Sequence, residues 1–554
     1  MACGILILLI VSSLVSAVFD NMGGSSLALP INNLVWCCFS ILSYFSCRLI
    51  CAQANAKISN NAIVYLMFIV SLIGPLAWGN EAGVEVVYRM IGVILGAVTL
   101  FFVWNLLSIR NIDAYLNALI VMGGVQVLIG IYQLFAASFL DITINTVWNS
   151  PIPVGSFQQP NVMASFLVVS VVAAFIKPLN FGSSIPSTTQ RLSDFIAKIV
   201  LVGASFTLIV LLSRTALLSL VLSLMLVAFV AWRTGSDKKK QLFSGLLLII
   251  LGGILGVIYN DFQESIRREV ESSLVSGGVR LVIWPIVWDM FLEHWLFGIG
   301  YGNFEVAYLN FQAELYQQNG DYGLSKLSHP HNEILFWAVE GGILPCVGIL
   351  SFAIFVIWRL CVLGARGAYL AALMLPLVLH SLTEYPFYAS AFHWLLLCSL
   401  LGFLEVFYHH QNFQHMRIVN VSFVNAWNGV ALSLSSLLVI FCLTNLWTIR
   451  QVTETVKMPV ETRTLEPLQS IVNPYVMQYQ LEYMIMHYTL PIYLKESNKQ
   501  GLLQYVEWAQ GAMKRKPRVE LLINMIRSYT VLQMHSEATA TIQHMKYLYP
   551  NAKL

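Results

Sequence analysis

Long apolar runs alternate with short polar loops along most of the chain. A bilayer core about 30 Å thick is crossed by roughly 20 apolar residues in a helix, so each run predicts one spanning helix. The first run has no cationic segment before it, which favours a helix over a cleaved signal peptide. By this criterion the pattern predicts an all-α polytopic membrane protein with about thirteen spans, near residues 4–19, 31–50, 62–79, 86–107, 114–139, 162–177, 196–212, 215–232, 242–259, 333–357, 368–382, 387–407 and 425–447.

The basic residues predict the orientation of these spans. Short loops rich in Lys and Arg stay cytoplasmic, and the strongest such loop is Arg233–Lys240, which contains three consecutive lysines. With this loop inside, the alternation of spans places the amino terminus inside. Three segments are then external: residues 141–161, the long loop 260–332 and everything after Trp447.

We therefore predict two domains. Residues 1–447 form a transmembrane domain that includes the external loop 260–332 with its amphipathic helices, and residues 448–554 form an external helical domain. In that tail, Pro517 and Pro550 are 33 residues apart, close to the period of about 34 residues in tetratricopeptide repeats, which bind proteins. The alternative is a short helical cap of unspecified purpose.

Composition agrees with this class of protein. The chain is 57% hydrophobic and 11% charged, with a mean hydropathy of +0.71, which excludes an ordinary soluble protein. The net charge of +3 is small and gathers in short loops, which argues against a nucleic-acid partner. The nine cysteines lie within or beside apolar runs without metal-binding spacing, so we interpret them as packing residues.

Two external arginines are candidates for binding an anion. Arg214 lies at the junction of two apolar runs, and Arg280 begins an amphipathic stretch rich in tryptophan. A guanidinium matches phosphate oxygens bidentately, so the pair suits a lipid-linked phosphate or diphosphate near the membrane surface. The alternative for either residue is an arginine that only extends its charge to the interface.

The external loop ends in a histidine pair at the start of the next predicted helix. His329 and His331 flank a proline and precede Asn332 and Glu333. Imidazole is suited to accepting a proton near neutral pH, although a lone histidine is more often structural. A metal is disfavoured because no third strong ligand stands nearby in the sequence.

Two further polar groups lie at external ends of spans. Gln159 and Asn161 precede one span, and their amides suit sugar hydroxyls or a phosphate, although Pro160 and Asn161 also fit a simple helix start. Glu384 and Tyr385 lie at the external end of another span and are able to reach the same cavity.

These motifs, in this order, resemble the O-antigen ligase and polymerase superfamily. The resemblance rests on Gln-Pro-Asn, Ser-Arg-Thr-Ala-Leu, the Arg280 to Trp284 helix, Phe297-Gly-Ile-Gly-Tyr-Gly-Asn303, His-Pro-His-Asn-Glu-Ile-Leu and Glu340-Gly-Gly342. It covers roughly residues 150–410. Within the superfamily, the Gln-Pro-Asn and Glu-Tyr-Pro-Phe pieces most resemble bacterial O-linked protein oligosaccharyltransferases of the PglL type.

The resemblance implies an enzyme of the bacterial inner membrane with its active site facing the periplasm. It implies metal-independent transfer of a preassembled glycan from undecaprenyl diphosphate to a hydroxyl of an acceptor protein such as a pilin. The essential histidine matches His331, the diphosphate-binding arginines match Arg214 and Arg280, and Gln159 and Tyr385 match further functional positions. His331 is then a general base or a positioning group.

Three alternatives share much of this pattern. An O-antigen ligase acting on a lipid A core, or a polymerase acting on a second lipid-linked glycan, uses the same donor. A transporter of lipid-linked glycans also has about a dozen spans, but it is expected to place charges or broken helices near mid-span. Here the candidate residues gather at one external rim, and the large external tail favours a protein acceptor.

Overall fold

The computed structural model describes residues 19, 23–53, 55–78, 83–139, 152–179, 188–233, 239–262, 278–320, 322–324, 326–409, 414–417, 421–459 and 463–552. Within these ranges the chain is almost entirely helical, and ten helices are long and apolar enough to cross a membrane. Two shorter apolar helices accompany them, at Ala62–Trp78 and Ala365–Ser381. The structure is that of an all-α polytopic membrane protein.

The helices and strands follow one another in this order: α1 Pro30–Ala52, β1 Asn55–Ile58, α2 Ala62–Ile73, α3 Val84–Leu106, α4 Ile112–Phe139, α5 Pro160–Ile176, α6 Thr188–Leu211, α7 Arg214–Arg233, α8 Lys239–Phe262, α9 Gly278–Glu293, α10 Phe304–Asn319, α11 Glu333–Gly341, α12 Ile343–Val362, α13 Ala365–Ser381, α14 Pro386–Ala389, α15 Ala391–Tyr408, β2 Gln414–Arg417, α16 Val421–Lys457, α17 Gln478–Lys495, α18 Lys499–Met513, α19 Val519–Val531 and α20 His535–Leu548.

The predicted span 333–357 is wrong in its bounds. The chain forms two helices here, α11 and α12, because Gly342 adopts φ +74° and breaks the helix. A Cβ at that position would lie 2.4 Å from the Leu296 carbonyl oxygen, so only glycine fits. The apolar span is Ile343–Val362. The predicted first span, 4–19, lies almost wholly outside the described residues, and the total number of spans stays a prediction.

The chain divides into two compact units. Unit 1 comprises residues 1–66, 91–275 and 351–453, and unit 2 comprises residues 67–90, 276–350 and 454–554. The predicted domain boundary at residue 447 separates membrane-spanning from external segments. The two units are defined by packing instead, so this boundary stays a prediction. Helix α16 continues to Lys457, ten residues beyond the predicted span.

Helix α5 is the centre of unit 1. Every side chain from Val162 to Ile176 is buried, and α4, α6, α7 and α13 pack around the helix. A helix that is apolar on all sides has no polar face to turn outward, so it takes the interior position. This packing fixes the amino-terminal end of α5, where Gln159 and Asn161 lie.

Strands β1 and β2 of unit 1 pair as a short antiparallel ribbon, with Asn55 opposite Arg417. Near it the carboxylate of Glu405 accepts hydrogen bonds from Ser59 Oγ at 2.6 Å and Tyr65 Oη at 3.1 Å. Arg359 Nη2 lies 3.4 Å from both carboxylate oxygens. The buried charge is thus paired and hydrogen-bonded, as burial of an ion requires.

Unit 2 contains the loop helices and the tail. Helices α17 to α20 pack consecutively, α17 on α18, α18 on α19 and α19 on α20. Helix α10 packs on α20, and Leu309 and Ala313 belong to the same apolar core as the tail. Arg518 forms an ion pair with Glu305 at this contact. The tail is helical, and its assignment as a tetratricopeptide array stays a prediction.

Candidate functional site

The histidine pair lies in the turn that leads into α11. The two imidazole rings have centroids 4.3 Å apart. His331 adopts φ +55°, a left-handed conformation that non-glycine residues seldom adopt. Asn332 then caps α11, because its side-chain oxygen accepts a hydrogen bond from Leu335 N at 3.0 Å. The turn before His331 and the Asn332 cap after it therefore fix the backbone conformation of His331.

Helix α9, which carries Arg280 in its first turn, is hydrogen-bonded to this turn. Trp284 Nε1 donates to the Pro330 carbonyl oxygen at 3.1 Å, and Pro330 is the residue between the two histidines. The helix also packs on α11, and Ile283 and Val287 are fully buried in the shared core. Unit 2 thus places the helix of Arg280 beside the histidine turn.

Burial sets the charge of two groups in this cluster. Burial, with a smaller contribution from His331, lowers the pKa of His329 to about 2, so that ring is neutral near pH 7. Burial raises the pKa of Glu333 to about 7, although nearby Arg89 and the hydrogen bond from Trp337 oppose that rise. Glu333 Oε2 accepts this bond from Trp337 Nε1 at 3.1 Å.

Arg89 is a residue that the sequence analysis missed. Its Nη1 lies 2.5 Å from Glu340 Oε2, and both side chains are buried. The guanidinium also lies 3.6 Å from the ring centroid of Trp337 and 4.5 Å from that of Phe336. The available signal was a lone arginine inside an apolar run, which by itself marks a position with a buried partner.

The glycine motif Phe297–Asn303 packs against the carboxy-terminal end of α11. Ile299 N donates to Val339 O and Gly300 N to Glu340 O, each at 2.9 Å. Gly298 is required by close approach, since a Cβ there would lie 2.3 Å from the Glu340 carbonyl oxygen. Two motifs that are separate in the sequence, Phe297–Asn303 and Glu340–Gly342, therefore form one structure.

Unit 1 contains the remaining candidate residues. Asn161 Nδ2 donates to Glu384 Oε1 at 2.6 Å, which joins the start of α5 to the turn after α13. Gln159 is the N-cap residue of α5, and its side chain makes no capping bond. Tyr385 is the N-cap residue of the short helix α14, with its ring 6.4 Å from that of Tyr388. Burial, reinforced by the charge of Glu384, raises the pKa of Tyr385.

Arg214 starts helix α7 and is exposed. Its neighbour Thr215 lies against the same turn, with Thr215 Oγ1 3.2 Å from Thr383 Oγ1. Because Thr383 precedes Glu384, the first residues of α5 and α7 and the turn after α13 meet at one end of unit 1. The structure thus brings the helix ends that carry Asn161 and Arg214 to the turn that carries Glu384, and their joint role stays a prediction.

Two buried glutamines of α4 support the segment before Gln159, and the sequence analysis missed them as well. Gln133 Oε1 accepts hydrogen bonds from Val154 N and Gly155 N, each at 2.9 Å. Gln126 Oε1 accepts one from Ser156 N at 3.0 Å. The sequence signal for these two residues was an uncharged amide within an apolar span, since a buried amide needs hydrogen-bond partners.

The predicted site residues are therefore divided between the two units. Unit 1 contains Gln159, Asn161, Arg214, Glu384 and Tyr385, whereas unit 2 contains Arg280, His329, His331, Asn332 and Glu333. Within each unit, these residues or their immediate neighbours are joined by the hydrogen bonds and packing described above.

Two protein families match this chain. An O-antigen ligase family matches residues 199–352, and a family described as the C-terminal part of virulence factor membrane-bound polymerases matches residues 368–554. No curated protein matches the chain. The matches imply a glycosyltransferase-like enzyme that transfers glycans, and the apolar helices are those of a multi-pass membrane protein. Over these residues the chain is similar to the O-antigen ligase/polymerase superfamily, and the O-antigen ligase family uses lipid-linked oligosaccharide donors.

Proposed function

We propose that the protein transfers a preassembled oligosaccharide from undecaprenyl diphosphate to a Ser or Thr hydroxyl of an acceptor protein such as a type IV pilin. The observation that carries this proposal is the hydrogen bond from Trp284 to Pro330. It holds the helix of a guanidinium, Arg280, against a turn that contains His331. A proton acceptor and a fixed positive charge are the two groups that this transfer needs.

The reaction is a substitution at the anomeric carbon of the first sugar. The acceptor hydroxyl oxygen forms the new glycosidic bond while the bond from that carbon to the diphosphate oxygen breaks. The hydroxyl proton passes to His331, and undecaprenyl diphosphate leaves. Arg280 and Arg214 bind the diphosphate, whose negative charge increases as the bond breaks. Neutral His329 and the Asn332 cap hold the turn of His331.

Gln159, Asn161, Glu384 and Tyr385 bind sugar hydroxyl groups in this proposal. Glu333 supports α11 and Trp337 behind the histidine turn. No metal or other cofactor takes part in the proposed reaction.

We place the reaction at the periplasmic face of the inner membrane. Helix α9 supports a position at the membrane surface, because it exposes Leu281, Trp288 and Leu292 while its opposite side is packed in unit 2. An apolar exposed face with tryptophan is typical of a helix at the membrane interface. A donor with a membrane-embedded lipid presents its diphosphate at that depth.

A polymerase is the second candidate. The family that matches residues 368–554 is described as a polymerase, and the match includes the whole helical tail. The tail alone therefore does not favour a protein acceptor over a second lipid-linked glycan. Paired helices such as α17 to α20 do provide a surface of the kind that binds proteins.

The test is expression of the chain in bacteria that make an undecaprenyl-diphosphate-linked oligosaccharide and a pilin. We expect mass spectrometry to find the whole oligosaccharide on a Ser or Thr of the pilin. Glycan on lipid A alone would replace the proposal with a ligase, and lengthened lipid-linked glycan without modified pilin would replace it with a polymerase. Absence of transfer to any of these acceptors would refute the proposed glycan transfer.

A further inference from the structure

A chain of buried polar side chains runs inward from Glu384 in unit 1. His380 Nε2 lies 3.4 Å from Glu384 Oε2, and His380 Nδ1 lies 2.9 Å from Ser165 Oγ. His393 Nε2 lies 3.0 Å from the same hydroxyl, and His393 Nδ1 lies 2.9 Å from Ser390 Oγ. The chain joins α13, α5 and α15 and ends at the N-cap of α15.

One assignment of protons gives each donor in this chain an acceptor. Ser390 donates to His393 Nδ1, His393 Nε2–H donates to Ser165, and Ser165 donates to His380 Nδ1. His380 then carries its proton on Nε2 and donates it to the Glu384 carboxylate. The Val162 carbonyl, 3.0 Å from Ser165 Oγ, is a competing acceptor. If it takes the hydroxyl proton, Ser165 Oγ accepts hydrogen bonds from both imidazoles.

Burying two imidazoles and a hydroxyl is costly unless each is hydrogen-bonded. Ser165, His380 and His393 are all buried, and His393 is fully so, whereas the side chain of Glu384 is 13% exposed. The network is therefore oriented toward its least buried member. Asn161 donates to the other oxygen of Glu384. A carboxylate accepts up to about four hydrogen bonds, and the partly exposed side of Glu384 is the side on which a ligand would meet it.

We propose that Ser165, His380 and His393 are positioning residues, which hold Glu384 as an ionised acceptor for hydroxyl groups of the sugar on the lipid-linked donor. The proposal deepens the proposed function and rests on it. Glu384 touches the sugar, whereas the three others act through Glu384. Two fixed donors on its inner side set the plane of the carboxylate, and hydrogen bonds to an ionised group are the stronger kind.

The experiment measures glycan transfer by the full-length protein in lipid, with undecaprenyl-diphosphate-linked oligosaccharide varied and the pilin acceptor fixed. We expect Ser165→Ala to raise the KM for the donor about tenfold, because Glu384 is then misplaced and the sugar loses one hydrogen bond to a charged group. Ser165→Thr keeps the hydroxyl and should stay close to the wild type. Glu384→Gln should raise the same KM without a change in the core.

Ser170→Ala is the matched control. Ser170 lies on the same helix, is equally buried, and donates only to the backbone oxygens of Leu119 and Phe166. We expect this variant to keep the donor KM of the wild type, even where its melting temperature falls as much as that of Ser165→Ala.

Equal donor KM for Ser165→Ala and Ser170→Ala would overturn the proposal. An unchanged KM in Glu384→Gln would overturn it independently, which covers the case that Ser165→Ala fails to fold. Absence of transfer by the wild type counts against the proposed function instead. Transfer by the wild type with the same KM in every variant refutes the positioning role alone.

Discussion

Arg89 and Glu340 form a buried ion pair in unit 2, with Nη1 and Oε2 2.5 Å apart. The pair lies where helix α3, the glycine motif Phe297–Asn303 and the end of α11 meet. Glu340 belongs to the end of α11, its Oε1 accepts a hydrogen bond from Gly302 N at 2.9 Å, and Arg89 stacks on Trp337. This pair thereby holds the glycine motif against the helix that begins beside His331.

We expect Arg89→Ala to destabilise the protein strongly, by about 3–5 kcal/mol, because it leaves a buried carboxylate without its partner. The measurement is thermal unfolding of the purified protein in detergent. The control is Asp194→Ala, which breaks the 2.9 Å ion pair with Lys177 where Asp194 is half exposed. That change should cost about 1 kcal/mol or less. Similar melting temperatures for the two variants would contradict the structural role of Arg89.

Replacing His331 should slow transfer greatly without abolishing donor binding. We expect His331→Asn to lose about 10²–10⁴-fold in rate, the usual contribution of a general base. Asn is the better replacement than Ala, since it tolerates the φ of +55° at this position. His329→Asn should lose less, because that ring is buried and neutral. Rates are measured with purified variants, alongside retention of labelled lipid-linked donor; a wild-type rate for His331→Asn would remove this residue from the mechanism.

Arg280 and Arg214 should act through charge and shape. We expect Arg280→Ala and Arg214→Ala to lose most transfer, and the Lys variants to recover only part, since Lys lacks the planar fork. Arg366→Ala serves as the control and should transfer normally, because Arg366 is exposed at the start of α13, at the opposite end of that helix from Glu384. Transfer is measured at equal amounts of protein in the membrane. Full activity in both Ala variants would mean that these arginines only extend to the interface.

Glu333 should make stability depend on pH. Its pKa is raised from 4.5 to about 7, so between those values the folded protein keeps a proton that the unfolded chain has lost. Stability from this group is complete below the unfolded pKa and is lost as pH rises through the folded one.

The check is the difference in melting temperature between Glu333→Gln and the wild type. This difference, variant minus wild type, should increase from about pH 5 to about pH 8. Exposed Glu314→Gln, on α10, reports any general effect of removing a carboxylate. A difference between Glu333→Gln and the wild type that is constant with pH would show that Glu333 keeps an ordinary pKa.

The orientation predicts that a reporter enzyme active only in the periplasm is active when fused after Asn473. The same reporter fused after Lys238, in the lysine-rich loop, should be inactive. The reporter activity of both fusions is measured in whole cells and in cell fractions. Inactivity after Asn473 with an inactive Lys238 fusion would mean an error of one span, and activity after Lys238 would reverse the whole topology.

The sequence alone determined most helices and the side chains that carry the candidate chemistry. Helix α5 was predicted at 162–177 and lies at Pro160–Ile176. The reason is physical: in lipid each backbone group must be satisfied within its own helix, so a local apolar run suffices to predict one. The resemblance to the O-antigen ligase and polymerase superfamily also followed from short motifs, and the two family matches confirm that resemblance.

Only the tertiary structure decided which distant residues meet. Arg89 and Glu340 are 251 positions apart, and Ser165 and His393 are 228 positions apart. It also decided that Gly342 divides the predicted span 333–357, since the clash with Leu296 arises only after the glycine motif packs on α11. An apolar run has the same composition whether lipid or protein surrounds it. The partners of its few polar residues are therefore fixed by helix packing, which no local pattern records.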